Sequence, residues 1–590
     1  MRLVFDLESD GFLDTMTKIH VLVVKDIDAG KSHTFLGKYI EDGVWMLNDA
    51  DEVIGHNIIK FDIPAIQKLY PSFNPQNVTD TLVLSRLLYP EIRDKDAVNS
   101  KKGTFPKKLT GAHTLEAWGY RIGNYKGDFK GPWDICTDEM VEYCEQDVEV
   151  TDTLYSRLMA KQPSPMSVWI EHEFATILAM QEAHGFGFDR IGAASLYSTL
   201  VGHRLELTQR LKEAFPPLPY EWVPKANNKK LGYVKGEPVT WYTEFNPSSR
   251  QQIAKRLKML GWEPQEFTPS GEAKVDEMVL EGLPYPEAKL LAEYFLIEKR
   301  IGQLAEGDQA WLRLVTDKDK IHGAVNPNGA VTGRCTHSRP NIAQVPKVGS
   351  PYGKECRSLF RPSPGRVLVG VDLSGLELRC LAHFMAKWDD GAYARVLLEG
   401  DIHTVNQQAA GLPTRDNAKT FIYAFLYGAG DWKIGHIVDE QAPDPVKKAT
   451  GNKLKKRFLA KTPALKKLKE VVGERASTKK YLLGLDGRKL HVRSAHSALN
   501  TLLQSAGALI AKVATIYAYH NLFNAGYKWG KDWTLVAHVH DELQVEARPQ
   551  IAEEVGKIIV RSMQEAGEYF KFRVPITGEW KVGTNWAETH

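Results

Sequence analysis

The stretch "LVAHVHDELQVEA", residues 535–547, alternates apolar and polar positions on both sides of an adjacent acidic pair, Asp541 and Glu542. Period-two alternation about a short polar break is the pattern of a β-hairpin, which places Val536, Val539, Leu543 and Val545 in a packed sheet and the acids at its tip. By itself "VHDE" also suits a solvated turn. Its apolar flanks make the tip a costly setting for carboxylates unless a cation compensates them. A second strand, "VLVGVDLSGLELR" at 367–379, ends in Asp372, with Glu377 a short step beyond in what reads as the next helix. If that strand pairs with the hairpin, Asp372 and Asp541 meet at one sheet edge and form a site for two metal ions.

Between these strands the chain reads as helical from about 384 to 504. In "RDNAKTFIYAFLYGAG", residues 415–430, the side chains of Arg415, Lys419, Tyr423 and Tyr427 lie four apart. On a helix that spacing drifts only about 40° per step, so the four form one stripe roughly 18 Å long. Two cations followed by two rings match a nucleoside triphosphate, with charge for the phosphates and flat surfaces for sugar and base. The plainer alternative is an amphipathic helix with its tyrosines in a core. Upstream, "GDIHTVNQ" offers His403 as a further phosphate donor.

The first 160 residues read as a separate α/β domain. "RLVFDLE", "IHVLVVKDI" and "DEVIGH" have strand patterns, and residues 140–160 have a helical apolar stripe. Asp6 and Glu8 are two apart on a strand and so share a face, where their repulsion calls for a hard, oxygen-loving ion such as magnesium or manganese. "HNIIKFD" adds Asn57 and Asp62, and "YCEQD" sets Tyr143 and Asp147 at i and i+4 of one helix face. Four carboxylates and a phenol can hold two metals about 3.5–4 Å apart, with Tyr143 orienting a water.

The 590 residues make room for about four domain-sized units. The hydrophobic and charged fractions, 43% and 25%, are those of ordinary globular chains, and no repeat or low-complexity tract occurs. No run of about 18 apolar residues stands out, and the opening residues go straight into a strand followed by acids. Five cysteines without CxxC spacing point to packing residues in a reducing compartment, not to a disulfide framework or zinc. These features lead us to expect a cytoplasmic protein with no membrane partner. The net charge of +3 conceals a basic segment, 447–480, in which thirteen Lys and Arg face only Glu470 and Glu474. "KQPSPMS" at 161–167 punctuates the chain before a helical pattern over 169–184. Residues 190–314 read as largely helical, interrupted by a loop, "PPLPYEWVPKANNKKLGYVKGEP", at 216–238.

Together the DxE, NxxxFD and YxxxD motifs resemble the 3′→5′ proofreading exonucleases of the DnaQ type, which implies Asp6, Glu8, Asp62 and Asp147 as metal ligands. "VDLSGLELR", "RDNAKTFIYAFLYG" and "VHDE" resemble motifs A, B and C of the family A DNA polymerases, the DNA polymerase I family, and in particular its replicative phage members. "KIHGAVNPNGAVTGRCTHSRPNIAQVP", "GLDGRKLHVRSAHSALNTLLQSAGALI" and the ending "NWAETH" extend the likeness over nearly the whole chain.

The resemblance implies a multidomain α/β protein: an RNase H-like exonuclease domain at 1–160, then a right-hand polymerase. Its parts would be a helical thumb at 161–314 with a shortened loop about 216–243, an antiparallel palm at 315–383 and 505–590, and helical fingers at 384–504. It implies Asp372, Leu373 and Asp541 at the metals with Glu542 close by, and His403, Arg415, Lys419, Tyr423 and Tyr427 at the incoming nucleotide. Glu377 would be a steric gate against a ribose 2′-hydroxyl, and Tyr423 implies ready use of dideoxynucleotides. Arg334, His496, Asn500 and Gln504 would touch primer or template. Magnesium is the implied cofactor, replaceable by manganese. Primer-template DNA and deoxynucleoside triphosphates are the implied substrates, and a phage helicase-primase and a single-stranded DNA-binding protein the implied partners. One phage member of the family carries a long thumb insertion that binds host thioredoxin; the shorter stretch here argues against that clamp. Two other readings stand beside this one. A single-subunit RNA polymerase shares the palm logic but gains nothing from Glu377 or an editing domain. A decayed nucleic-acid-binding relative would usually have lost at least one metal ligand, and none is missing.

Overall fold

A computed structural model describes residues 1–590. The chain divides into two compact units, one comprising 1–186, 322–344 and 362–590, the other 187–321 and 345–361.

The first unit holds two sheets that matter for function. The amino-terminal sheet comprises β1 (Arg2–Ser9), β2 (Ile19–Asp26), β3 (Lys31–Leu36), β4 (Glu52–Gly55) and β5 (Val78–Asp80), in the order β3-β2-β1-β4-β5. β2 pairs antiparallel with β1 and β3, while β1, β4 and β5 run parallel. As the central strand, β1 buries Leu3, Val4, Phe5 and Leu7, and only Asp6 and Glu8 break the apolar run. Helix α1 (Asp138–Met159) starts at Thr137, whose side chain accepts the Met140 N–H, and packs Met140, Cys144 and Val148 against Val4, Val21 and Val23. Helix α2 (Pro165–His184) begins with proline in its first turn and ends at Gly185, whose φ of 72° only glycine adopts freely.

The second sheet is antiparallel throughout. It consists of β6 (Val367–Leu373), β7 (Trp533–Val539), β8 (Glu542–Ala547) and β9 (Gly578–Gly583), in the order β7-β8-β6-β9. Between β6 and β7 the chain runs through α3 (Leu376–Asp389), α4 (Arg415–Leu426), α5 (Asp444–Lys461), α6 (Pro463–Lys479) and α7 (Ala498–Asn524), with shorter helices among them. After β8 comes α8 (Ala552–Tyr569), which lies on β6 and β9, while α2 lies on β7 and α7 packs against both α2 and α8. Helix α7 matches a membrane span in length and apolar content, a match the sequence reading passed over. That surface is used within the core instead, since 89% of the apolar window is buried inside the protein.

One expectation needs correction. The stretch 216–238 is not simply a loop. Leu218–Trp222 and Val239–Thr243 pair as an antiparallel hairpin in the second unit, because aromatic and β-branched residues at both ends outweigh the prolines between them. The basic segment is only partly solvated. Lys447 and Lys469 lie over the rings of Trp432 and Phe425, and Lys455 pairs with Asp431 at 3.0 Å. The other lysines of α5 and α6 remain largely exposed.

Candidate active sites

At the tip of the β7–β8 hairpin, Val539 pairs with Glu542, leaving His540 and Asp541 as a two-residue turn. Tight hairpins need a positive φ at the first turn residue, and His540 supplies it at 60° despite having a side chain. On the other side of β8, Asp372 is the register partner of Glu542, and the Leu373 N–H donates to the Asp541 carbonyl at 3.0 Å. Pairing and turn together bring Asp372 and Asp541 to one sheet edge from opposite ends of the helical region. Loss of hydration, then repulsion from Asp541 and Glu542, pushes the Asp372 carboxyl up to about 7. Burial and the Glu377 charge push Asp541 up to about 6. The Glu542 carboxylate is held elsewhere: Gln544 and the Trp586 indole donate to Oε1, and His590 Nδ1 is 3.0 Å from Oε2.

Helix α4 presents the expected stripe, its N-terminus capped by the Thr414 side chain. Arg415 and Lys419 are exposed, Tyr423 is half-buried against the core and Tyr427 ends the helix. Arg415 forms a bidentate pair with Asp401 at 2.7 and 3.1 Å, which holds the Asp401 carboxyl below its ordinary range. Asp401 also caps the helix that carries His403, so one aspartate ties the two candidate phosphate donors together. The Tyr427 hydroxyl donates to Glu377 at 2.9 Å, and Arg334 lies 3.7 Å from the same oxygen. Burial, reinforced by Glu377, pushes the Tyr427 phenol up to about 12. Arg334, Glu377, His540 and Asp541 line one small pocket. His496 lies against the Gly428 carbonyl at 3.2 Å, and Asn500 lines a neighbouring recess with it. Gln504 is half-buried one turn further along α7.

In the amino-terminal sheet, Asp6, Glu8 and Asp147 have ligand oxygens within 4.8 Å of one another. Asp62 falls outside that close trio, but its charge acts on Asp6 and it starts a helix at the same end of the sheet. Burial dominates all four and repulsion adds to it for Asp6 and Glu8. Glu8 is pushed up to about 8, Asp62 up to about 7, and Asp6 and Asp147 are raised. Asp147 Oδ1 is buried without a hydrogen-bond partner. A buried, unpaired carboxylate oxygen among other acids is a donor set suited to a divalent cation. Tyr143 lies near the cluster, where the charges of Asp147 and Glu8 act on its phenol.

The structure adds a residue that sequence reasoning missed. Lys126 donates to Asp147 Oδ2 and sits 4.4 Å from the centre of the Tyr143 ring. Burial would lower its pKa, but Asp147 and Asp6 outweigh burial and hold the ammonium above its ordinary value. Its segment, "GNYKGDFKGP", has no periodicity to mark it. Lys126 also lines a cleft of about 1060 Å³ with Asn57, Arg86, Arg93, Asn328 and Arg493.

A sequence model for DNA polymerase family A matches residues 226–588, and the chain belongs to that family. Over their full lengths and all of this chain, it is 41% identical to the DNA-directed DNA polymerase of Enterobacteria phage T3 and 40% identical to that of Escherichia phage T7. Its fold matches the POL domain of Pol1 from M. smegmatis, solved in complex with DNA primer-template and dNTP. That match has a TM-score of 0.74 at 17% identity and covers 100% of this chain and 96% of that one.

Proposed function

We propose that the chain extends a DNA primer along a template with deoxynucleoside triphosphates, and that its amino-terminal site removes nucleotides from 3′ ends. The synthetic reading is carried by the Leu373–Asp541 backbone bond, which sets Asp372 and Asp541 side by side. Hard carboxylate oxygens whose ionisation is suppressed by burial and mutual repulsion are a fitting donor set for magnesium, with manganese as substitute. Asp372, Leu373 and Asp541 would hold it in the palm, and Asp6, Glu8, Asp62 and Asp147 in the nuclease. Bound there, the metal would supply positive charge that acidifies the attacking hydroxyl or water and steadies the departing oxygens.

The side chains supply the rest. Arg415 exchanges Asp401 for the triphosphate, with Lys419 and His403 beside it, and Tyr423 and Tyr427 offer ring faces to the nascent pair. Glu377, held by the Tyr427 hydroxyl, would exclude a 2′-hydroxyl. Arg334, His496, Asn500 and Gln504 would touch primer or template. In the nuclease, Tyr143 orients the water and Lys126 balances the acids. On this reading the chain would divide into exonuclease 1–160, thumb 161–314, palm 315–383 and 505–590, and fingers 384–504.

Primer extension tests the reading. Asp372→Asn and Asp541→Asn should each slow extension by on the order of a thousandfold or more while single strands are still digested at the parent's rate. Extension at the parent's rate by either variant refutes the palm assignment.

A further inference from the structure

The hairpin of the second unit stands as a sheet of two strands only, Leu218–Trp222 and Val239–Thr243. Tyr220 and Trp222 are two apart on one strand, and Trp241 is the register partner of Tyr220, so all three rings share one face. They form a column: Tyr220 and Trp241 stack at 5.9 Å and Trp241 and Trp222 at 5.8 Å, with Tyr233 edge-on to Trp222 at 5.5 Å. Packing among themselves steadies an otherwise marginal ribbon, yet it leaves them open. Tyr220 is 55%, Trp241 39% and Trp222 36% exposed. Large aromatic rings in a packed site are seldom left so accessible. The tip adds charge. Between Trp222 and Gly236 the chain carries Lys225, Lys229, Lys230 and Lys235, all exposed, and no acid.

We propose that this hairpin binds single-stranded DNA, with unpaired bases on the Tyr220–Trp241–Trp222 face and phosphates on the tip lysines. A cationic surface fits any polyanion, but accessible flat rings beside it favour a polymer with exposed flat bases, which a duplex keeps stacked inside. Every base has such a face, so binding would be indifferent to sequence. The site shares no residue with either acidic centre and rests on the polymerase reading only for the presence of unpaired strands.

The test uses the full chain with EDTA, so that nothing is digested, and an oligothymidylate carrying 5-iodouracil. Crosslinks are expected on Tyr220, Trp222 or Trp241. The variant K225A/K229A/K230A/K235A should bind at least tenfold more weakly at low salt, and the slope of log affinity against log salt should shrink by up to about 3. Y220S/W241S should lose the crosslinks at those two positions and bind more weakly, with a smaller change in slope. Unchanged affinity and slope in the lysine variant, or crosslinks confined to other segments, overturn the proposal. Addition of one nucleotide to a short primer, with magnesium restored, is read on the same proteins. It should match the parent in the lysine variant. Its absence in the parent would refute the polymerase reading, while the crosslinks would still judge the hairpin.

Discussion

Tyr423 is half-buried, and its phenol is raised by burial and by the charges of Glu377 and Asp541. If Tyr423 lies at the incoming nucleotide as proposed, its hydroxyl can stand in for the nucleotide's 3′-hydroxyl. Tyr423→Phe should therefore sharply raise discrimination against dideoxynucleotides, read as the ratio of terminated to extended primer; unchanged termination would show that the stripe was misread. At the other site, the double variant D6A/E8A should abolish digestion of single strands and leave extension intact, and persistent digestion would count against this nuclease site. Lys126→Met keeps length and removes charge. It should slow digestion by roughly ten- to a hundredfold without affecting extension, and digestion at the parent's rate would reduce Lys126 to a structural role. Asp6, Glu8, Asp372 and Asp541 drew notice because each interrupts a strand-like apolar pattern, and Asp147 because it stands four residues from Tyr143 on one helix face. Lys126 did not, because a lysine in a glycine-rich loop is ordinary until the fold lays it on Asp147. Glu542 was legible as a neighbour of Asp541, but not the grip of Trp586 and His590 on it, since those partners come from the far end of the chain.

Helices α2 and α7 are joined by a buried ionic cluster. Glu171 accepts from Lys512 Nζ at 2.5 Å and lies 2.7 Å from Arg488, which also pairs with Asp486 at 2.7 Å. All four side chains are at most 4% exposed. Removing one partner strands the others without solvent, so Glu171→Gln should destabilise the protein by about 3 kcal/mol, measured by urea unfolding. A loss below about 1 kcal/mol would show the cluster to be better hydrated than its burial implies. The strands and long helices were readable from period-two and period-3.6 patterns, and the second unit begins at Gly187, just past the glycine that ends α2. Patterns did not reveal this cluster, because a lysine in the middle of an apolar helix looks like an interruption until its partner is placed. The 218–243 hairpin was hidden for a related reason: its strands are punctuated by prolines, and what holds them is the pairing of one strand with the other.

Over the entire chain, pH and divalent cations should act on stability together. Glu8, Asp62 and Asp372 have carboxyls pushed up to about 8, 7 and 7, so the folded state keeps protons that the unfolded chain gives up near pH 4. Their contribution is fully present at low pH and is lost as pH climbs through these folded values. The buried histidines His56, His113 and His538, each lowered by burial to about 3, oppose this only below about pH 6.5, where the unfolded chain takes up protons that they refuse. In EDTA the thermal midpoint should therefore fall between pH 6.5 and 8.5, and magnesium should raise it more at pH 8.5 than at pH 6.5. A flat or rising midpoint, or a magnesium effect independent of pH, would contradict the electrostatics of both sites. The most direct test of the central claim, that Asp372 and Asp541 jointly hold divalent ions, is anomalous scattering from crystals containing manganese, a dideoxy-terminated primed template and the next nucleotide. The account predicts a manganese peak within about 2.5 Å of a carboxylate oxygen of each aspartate. No peak between them, or carboxylates pointing to separate places, would contradict it.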